Sequence, residues 1–328
     1  MTAMSSTASE LAPEQLDRHR RALTGYCYRM LGSGAEAEDA VQETMLKAWQ
    51  AVDRFEGRSS VRTWLFRIAT NVCTDMQRSP QRRARPVDLG PARTPDPVHL
   101  TDVLPEDRWI TPIADAAVLD LDGDPAEVAA ARDTIRLAFV SALQRLPASQ
   151  RAVLVLREVL HWPAADVAEL LDVSVASVNS ALQRARATMA TSPAGRRAEP
   201  LSAAQHELVA RYVDAFERYD MDALAKLLHD DVIQTMPPYA MWLQGRDDVL
   251  AWFVGPGNEC RGSRLLAGQA NGCPAFAQYR VDPDGGHAPW ALQVLELRGD
   301  RIEALHAFLD TAESFERFGF PPHLPADR

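Results

Sequence analysis

Along residues 14 to 86, apolar side chains return every three or four positions, the period of a helix buried along one face. Leu16, Ala22, Leu23, Tyr26, Cys27, Met30 and Leu31 form the first stripe, and Gly32 and Gly34 end it. The next segment, AEAEDAVQETMLKAWQAV, opens with acids, as a helix N-terminus favours. It turns Ala40, Val41, Thr44, Met45 and Ala48 toward a core and leaves Asp39, Gln42, Glu43 and Leu46 on another face. A third stripe holds Trp64, Leu65, Ile68, Ala69 and Val72.

Helical spacing resumes over residues 128 to 190, predicting a four-helix domain whose last two helices form a helix-turn-helix. Pro163 opens the first of these two, Asp172-Val173-Ser174 makes the turn, and Ser174 caps the second. In that last helix Val178, Leu182 and Ala185 face inward, leaving Ser177, Asn179, Ser180, Gln183, Arg184 and Arg186 outward. Many helical hairpins share this apolar spacing. Short polar and Arg side chains are nevertheless what the major groove accepts.

After the linker TSPAGRRAEP the period changes. A long helix (AAQHELVARYVDAFERYD), a short one (MDALAKLLHD), a strand (DVIQTM) and a third helix (RDDVLAWFVG) precede four strands, at 263–270, 274–282, 288–298 and 301–310. Turn signals stand at DPDGG and Gly299-Asp300. Strict alternation would put Trp290, Leu292 and Val294 on one face, and His306, Phe308 and Asp310 on one face of the last strand.

The chain has 328 residues and a net charge of −10, room for two or three domains. It has no apolar run near the roughly 20 residues that cross a bilayer and no signal-like N-terminus, so a cytoplasmic protein without a membrane partner is expected. Cys27, Cys73, Cys260 and Cys273 lack metal-ligand spacing; reduced thiols, no metal site and no cofactor are expected. Taken by segment, the charge is net +4 over 14 to 86, −8 over 87 to 127, +3 over 128 to 200 and −8 over 201 to 328. Two basic modules are thus joined by an acidic connector and followed by an acidic domain.

Residues 54 to 85, RFEGRSSVRTWLFRIATNVCTDMQRSPQRRAR, concentrate eight Arg against two acids, with aromatic residues between them. Arg supplies phosphate affinity, and Phe55, Trp64 and Phe66 have the ring faces on which unpaired bases stack. A plain amphipathic helix would instead use Trp64 as core, but it leaves the Arg excess unexplained.

These motifs resemble the bacterial extracytoplasmic-function (ECF) sigma factors over residues 14 to 190. AEDAVQETMLKAW resembles region 2.2, which docks on the β′ clamp helices of RNA polymerase. The resemblance implies core contacts from Asp39, Gln42, Glu43 and Leu46, with Trp49 as a packing residue. RFEGRSSVRTWLFRIATNVCTDMQR resembles regions 2.3 and 2.4. There Phe55, Gly57, Arg58 and Ser59 would hold a base flipped from the −10 element, and Arg62, Arg67, Asn71 and Arg78 would face the strand. LPASQRAVLVLREVLHWPAADVAELLDVSVASVNSALQRAR resembles region 4, which implies a contact with the β flap and readout of the −35 element by Ser177, Asn179, Ser180, Gln183, Arg184 and Arg186. Family members commonly carry a Lys and an Arg near Asn179 and Ala181, and this chain has neither.

The expected fold is therefore all-α for region 2 (14 to 86) and region 4 (128 to 190), with an acidic linker (87 to 127) of disorder-prone composition between them. Trp109 and Ile110 are unusually apolar for such a linker. The remainder, 203 to 320, resembles the α+β SnoaL-like cone, in which a curved sheet wraps a pocket. Trp242, Trp252, Trp290, His306, Phe308 and Asp310 are its candidate lining, with a small-molecule ligand as a candidate partner. No catalytic residue is assigned. The expectation is a transcription initiation factor that binds core RNA polymerase and promoter DNA, with the third domain regulating in cis. A ligand sensor, or an enzyme tethered to a DNA-binding module, remains the alternative.

Overall fold

The computed structural model describes residues 13–77, 83–101, 103–191 and 201–326; the side chains of Pro13 and of 310–314 lie outside that description. The chain forms two compact units. Residues up to Arg83 join Asp115–Arg197 in one, and Ala84–Ala114 join Ala198–Arg328 in the other.

The first unit is helical. Its elements include α1 (Arg20–Leu31), α2 (Gly34–Gln50), α3 (Val61–Met76), α4 (Leu137–Gln144), α5 (Ala148–Leu154, running into a π-helical turn at Val155–Val159), α6 (Ala164–Leu171) and α7 (Val175–Ala190). Two further helices, Asp115–Val118 and Pro125–Asp133, precede the four expected in the second half. The starts follow sequence chemistry: Ser33, Ser60 and Ser174 each accept a bond from a backbone N–H three residues on, capping α2, α3 and α7. Gly32 ends α1 at φ 75°, a left-handed position that a side chain resists.

Tyr26, Met30, Leu65 and Phe66 are fully buried where α1 meets α3, and the Tyr26 hydroxyl pairs with Thr70 Oγ1 at 2.8 Å. Buried Arg side chains tie the two halves together. Arg151 of α5 donates to the Met30 carbonyl of α1, to Gln144 Oε1 at 2.5 Å and to the Leu146 carbonyl at 3.0 Å. Arg29 donates to the Gly25 carbonyl and to Thr134 Oγ1, and burial pulls its pKa down to about 10. Cys27 and Cys73 are buried; a hydrogen bond to the Cys73 side chain, then burial, pushes the Cys27 thiol well up.

The second unit is α+β. Helices α8 (Ala203–Glu217), α9 (Met221–Ala225) and α10 (Arg246–Val254) accompany strands β1 (Leu228–Thr235), β2 (Trp242–Gln244), β3 (Arg264–Ala270), β4 (Cys273–Val281), β5 (His287–Arg298) and β6 (Arg301–Phe308). The sheet order is β2-β1-β6-β5-β4-β3; only β1 and β6 run parallel. Tyr212, Phe216, Trp252, Phe276 and Leu295 form its core.

The connector corrects an expectation. Residues 84–114 are not a free acidic tether but part of the second unit. Trp242 Nε1 donates to the Gly90 carbonyl at 2.9 Å, and the Arg93 and Leu104 amides donate to the carbonyls of Trp242 and Pro238. At the far end Asn271 clamps Ile113 twice: its Oδ1 accepts from the Ile113 amide and its own amide donates to the Ile113 carbonyl, each at 3.1 Å. Trp109, Ile110 and Ile113 are buried. Composition pointed to disorder because acids dominate, but a few apolar side chains and a row of backbone bonds suffice to fix the path.

Candidate functional site

Helix α2 buries Ala37, Ala40, Val41, Thr44 and Ala48, and that choice of face leaves Asp39, Gln42, Leu46 and Trp49 as an exposed stripe. Glu43 is half-buried and pairs with Lys47 at 3.2 Å. Leu46 is 47% and Trp49 63% exposed, so Trp49 is not the packing residue expected from resemblance. Two large apolar side chains beside an acid and an amide make a surface suited to a protein partner.

Between α2 and α3, Gly57 takes φ 68° in open space and turns the chain sharply. Arg58 there pairs with Glu56, and Ser59 is half-buried. Phe55 and Trp64 stand 4.9 Å apart, tilted by 43° and half-buried, so neither is core. Phe66, read as a possible stacking ring, is fully buried; it packs on Trp162 at 5.1 Å. Helical spacing explains the difference, since Phe66 shares the inward face with Leu65, Ala69 and Val72.

The outward face of α3 is occupied within the unit. The Arg62 guanidinium lies over Trp162 at 5.0 Å, and burial lowers its pKa. Arg67 donates to the Glu169 carbonyl of α6 at 2.9 Å. Asn71 is exposed, and Arg78 lies outside the described residues.

On α7, Val178, Leu182 and Ala185 are buried and Ser177, Asn179, Ser180, Gln183, Arg184 and Arg186 are exposed, as the pattern predicts. The Ser177 hydroxyl is engaged by that of Ser174 at 2.8 Å, and Arg186 pairs with Glu158 at 2.7 Å. Val173 and Val175 are both exposed; in the sequence Val173 stands out only as a turn residue and Val175 not at all, its signal being its place just after the capping Ser174 at the helix start. A cavity of about 710 Å³ brings the two sets of candidates together, with Arg67 and Asn71 on one wall and Ser177 and Arg184 on the other.

In the second unit the sheet and helices enclose a cavity of about 370 Å³. Trp252 and Trp290 line it, as expected, but Trp242, His306 and Phe308 do not. Trp242 holds the connector. In β5, Gln278 pairs with Ala291 and Tyr279 with Pro289, so Trp290 is an extra residue that breaks alternation. Beyond it, Val294 pairs with His306 and Leu292 with Phe308, off the cavity, while Gln293, Leu305 and Ala307 line it. His306 Nδ1 meets Thr235 Oγ1 at 2.8 Å, and its Nε2 lies 3.5 Å from Glu296. The Asp310 side chain lies outside the described residues. Among the described residues no His, Cys, Asp and Glu cluster could hold a metal, and no helix is long and apolar enough to cross a membrane.

Three family models match: Sigma-70 region 2 over residues 16–83, Sigma-70 region 4 over 136–189 and the SnoaL-like domain over 209–305. The chain is 43% identical over 315 residues to the ECF RNA polymerase sigma factor SigG of Mycobacterium tuberculosis, covering 93% of this chain and 83% of that one. It is 30% identical over 243 residues to SigJ of the same organism, covering 72% and 70%. The crystal structure of SigJ matches with a TM-score of 0.57 at 24% identity, over 94% of this chain and 99% of that one, so the architecture is shared. With its helical unit and α+β unit both matched, this chain belongs to the ECF RNA polymerase sigma factors and carries a fused SnoaL-like domain.

Proposed function

We propose that the described conformation is a closed, promoter-incompetent form of this sigma factor, opened when the connector leaves the SnoaL-like unit. The observation that carries the reading is the shared cavity between α3 and α7, where the candidate −10 and −35 readers face one another. The two promoter elements lie about 25 base pairs apart, roughly 85 Å at 3.4 Å per base pair. One groove cannot serve both, so the halves must separate to read a promoter. Residues 84–114 set the reach of that separation. Released and extended at about 3.4 Å per residue, these 31 positions would span on the order of 100 Å, enough for the task. Docked on the second unit, they hold a fixed path.

In the open form Asp39, Gln42, Glu43, Leu46 and Trp49 dock on polymerase, Phe55 to Ser59 with Trp64 receive an extruded base, and Arg62, Arg67 and Asn71 follow the strand. Helix α7 reads the −35 element, with Asn179 suited to adenine, Arg184 to guanine or phosphate, and Val175 to a thymine methyl. The protein acts in the cytoplasm, and the SnoaL-like unit regulates in cis and binds rather than turns over. Run-off transcription with core polymerase on a library of promoter-like duplexes tests the reading. Asn271→Gly, which frees the Ile113 amide from its clamp, should raise output; equal output from both proteins would remove the connector from the account.

A further inference from the structure

We infer that the cavity of the SnoaL-like unit is a binding site for a small neutral molecule with a flat apolar body and one hydrogen-bond donor, which completes Gln234. The inference goes beyond the regulatory reading and does not depend on it.

Three glutamines, Gln234 on β1, Gln278 on β4 and Gln293 on β5, line the cavity and are each only 2% exposed. Two of them belong to a directed chain. The Tyr212 hydroxyl donates to Gln293 Oε1 at 2.6 Å, Gln293 Nε2 to Gln278 Oε1 at 2.8 Å, and Gln278 Nε2 to Ser263 Oγ at 2.9 Å. Burial pushes the Tyr212 pKa well up, so the chain starts from a permanent donor and its direction is set.

Gln234 stands apart from this chain. Among the described residues its Oε1 is buried with no hydrogen-bond partner, and its Nε2 meets only the weak acceptor Met236 Sδ at 3.6 Å. With Nε2 directed at Met236 Sδ, the acceptor Oε1 is the end left unsatisfied in this cavity-lining residue. A buried amide in that state costs free energy that Leu or Met at the same place would not, which is what a wall shaped for a ligand's donor looks like. On β6 between β1 and β5, Ala307 lines the cavity and its small side chain leaves the space open.

Charge narrows the ligand class. The Arg280 guanidinium at the mouth is stacked on Trp290 at 4.2 Å and paired with Glu259 at 2.9 Å, so its charge is already answered. The Cys260 thiol is pushed up by burial and stays neutral. An ion entering the cavity would be desolvated without a counter-charge, whereas a neutral molecule would not. Trp252 and Phe216 supply the flat apolar walls, and Leu100 of the connector closes one side. His306 is off the cavity, held by Thr235 and beside Glu296.

Calorimetry on the full chain tests this with three isosteric probes: naphthalene carboxamide, the naphthyl methyl ketone, which lacks the donor, and naphthalene carboxylate, which is charged. The carboxamide should bind saturably, the ketone at least roughly fivefold more weakly, as one neutral hydrogen bond allows, and the carboxylate at least roughly tenfold more weakly. Gln234→Leu should erase the preference for carboxamide over ketone. Trp290→Ala, at the half-exposed mouth, should weaken all three and serves if the first variant does not fold. No saturable binding of the carboxamide, a carboxylate that binds as tightly, or a preference that survives Gln234→Leu would overturn the inference. None of these readouts involves polymerase or DNA.

Discussion

Arg67 of α3 reaches across to Glu169 of α6, donating to its backbone carbonyl at 2.9 Å with the carboxylate 3.9 Å away. A side chain proposed to follow a DNA strand is thereby engaged by the helix before the proposed −35 reader. Both members are partly exposed, so the ion pair contributes at most about 1 kcal/mol. Glu169→Lys replaces attraction by repulsion and should raise promoter output by roughly two- to fivefold, without touching a residue assigned to DNA. Run-off transcription over a range of sigma concentrations checks it.

The clamp from Asn271 to Ile113 is buried, and leaving the Ile113 amide without an acceptor costs about 1–3 kcal/mol. Asn271 sits at φ 55°, so glycine is the replacement that removes Oδ1 without adding backbone strain. Limited proteolysis of Asn271→Gly should cut within residues 84–114 roughly tenfold faster than the wild type, with the SnoaL-like unit intact. Equal rates would show that the connector is held by other bonds.

The stripe on α2 makes a separable prediction. Leu46→Ala and Trp49→Ala remove exposed side chains, so thermal stability should shift by no more than about 0.5 kcal/mol. Core polymerase binding should fall at least tenfold for Trp49→Ala, as for an aromatic anchor at an interface. Surface plasmon resonance on immobilised core enzyme reads the binding, and calorimetry the stability.

On α7, Asn179→Ala should relax preference at one base pair of the −35 element, at a cost of about 1–3 kcal/mol in discrimination. Arg184→Ala should weaken binding and reduce the salt slope by about one if its contact is to phosphate. Fluorescence anisotropy on single-substituted duplexes at several salt concentrations separates the two.

Alkaline pH should unfold the second unit by a defined route. Burial pushes Tyr219 and Tyr279 up to about 12; the Tyr219 hydroxyl donates to the Phe253 and Gly257 carbonyls, and that of Tyr279 to the Pro321 carbonyl. A raised folded-state pKa stabilises the protonated form, so this contribution is complete below the ordinary tyrosine pKa near 10. It is lost as pH rises from there through about 12. Phenolate absorbance and circular dichroism followed together should show these tyrosines ionising only as the unit unfolds.

Much of this was legible in the sequence. Helical periodicity placed α1, α2, α3 and α7, Ser174 marked the start of the last, and the inward trio Val178, Leu182 and Ala185 is buried as the spacing required. What escaped was long-range or local irregularity. Alternation failed at Trp290 because one inserted residue in β5 puts every later β5 side chain on the opposite face, so Leu292 and Val294 lie off the cavity with their partners Phe308 and His306, and Gln293 lines it. The acidic connector hid its docking because the bonds that hold it are mostly backbone bonds, which composition does not report. Phe66 and Trp64 exchanged expected roles within a single helical turn: one is core, the other half-exposed beside Phe55.

The closed form is tested most directly by single-molecule energy transfer between dyes on Gln50→Cys and Ala190→Cys, both exposed helix-end positions, in a Cys260→Ser background. The free chain should give one high-efficiency population. Adding core polymerase and a promoter duplex that supports transcription should move it to low efficiency, as the roughly 85 Å between promoter elements demands. Low efficiency in the free chain, or unchanged high efficiency in a transcribing complex, would contradict the account.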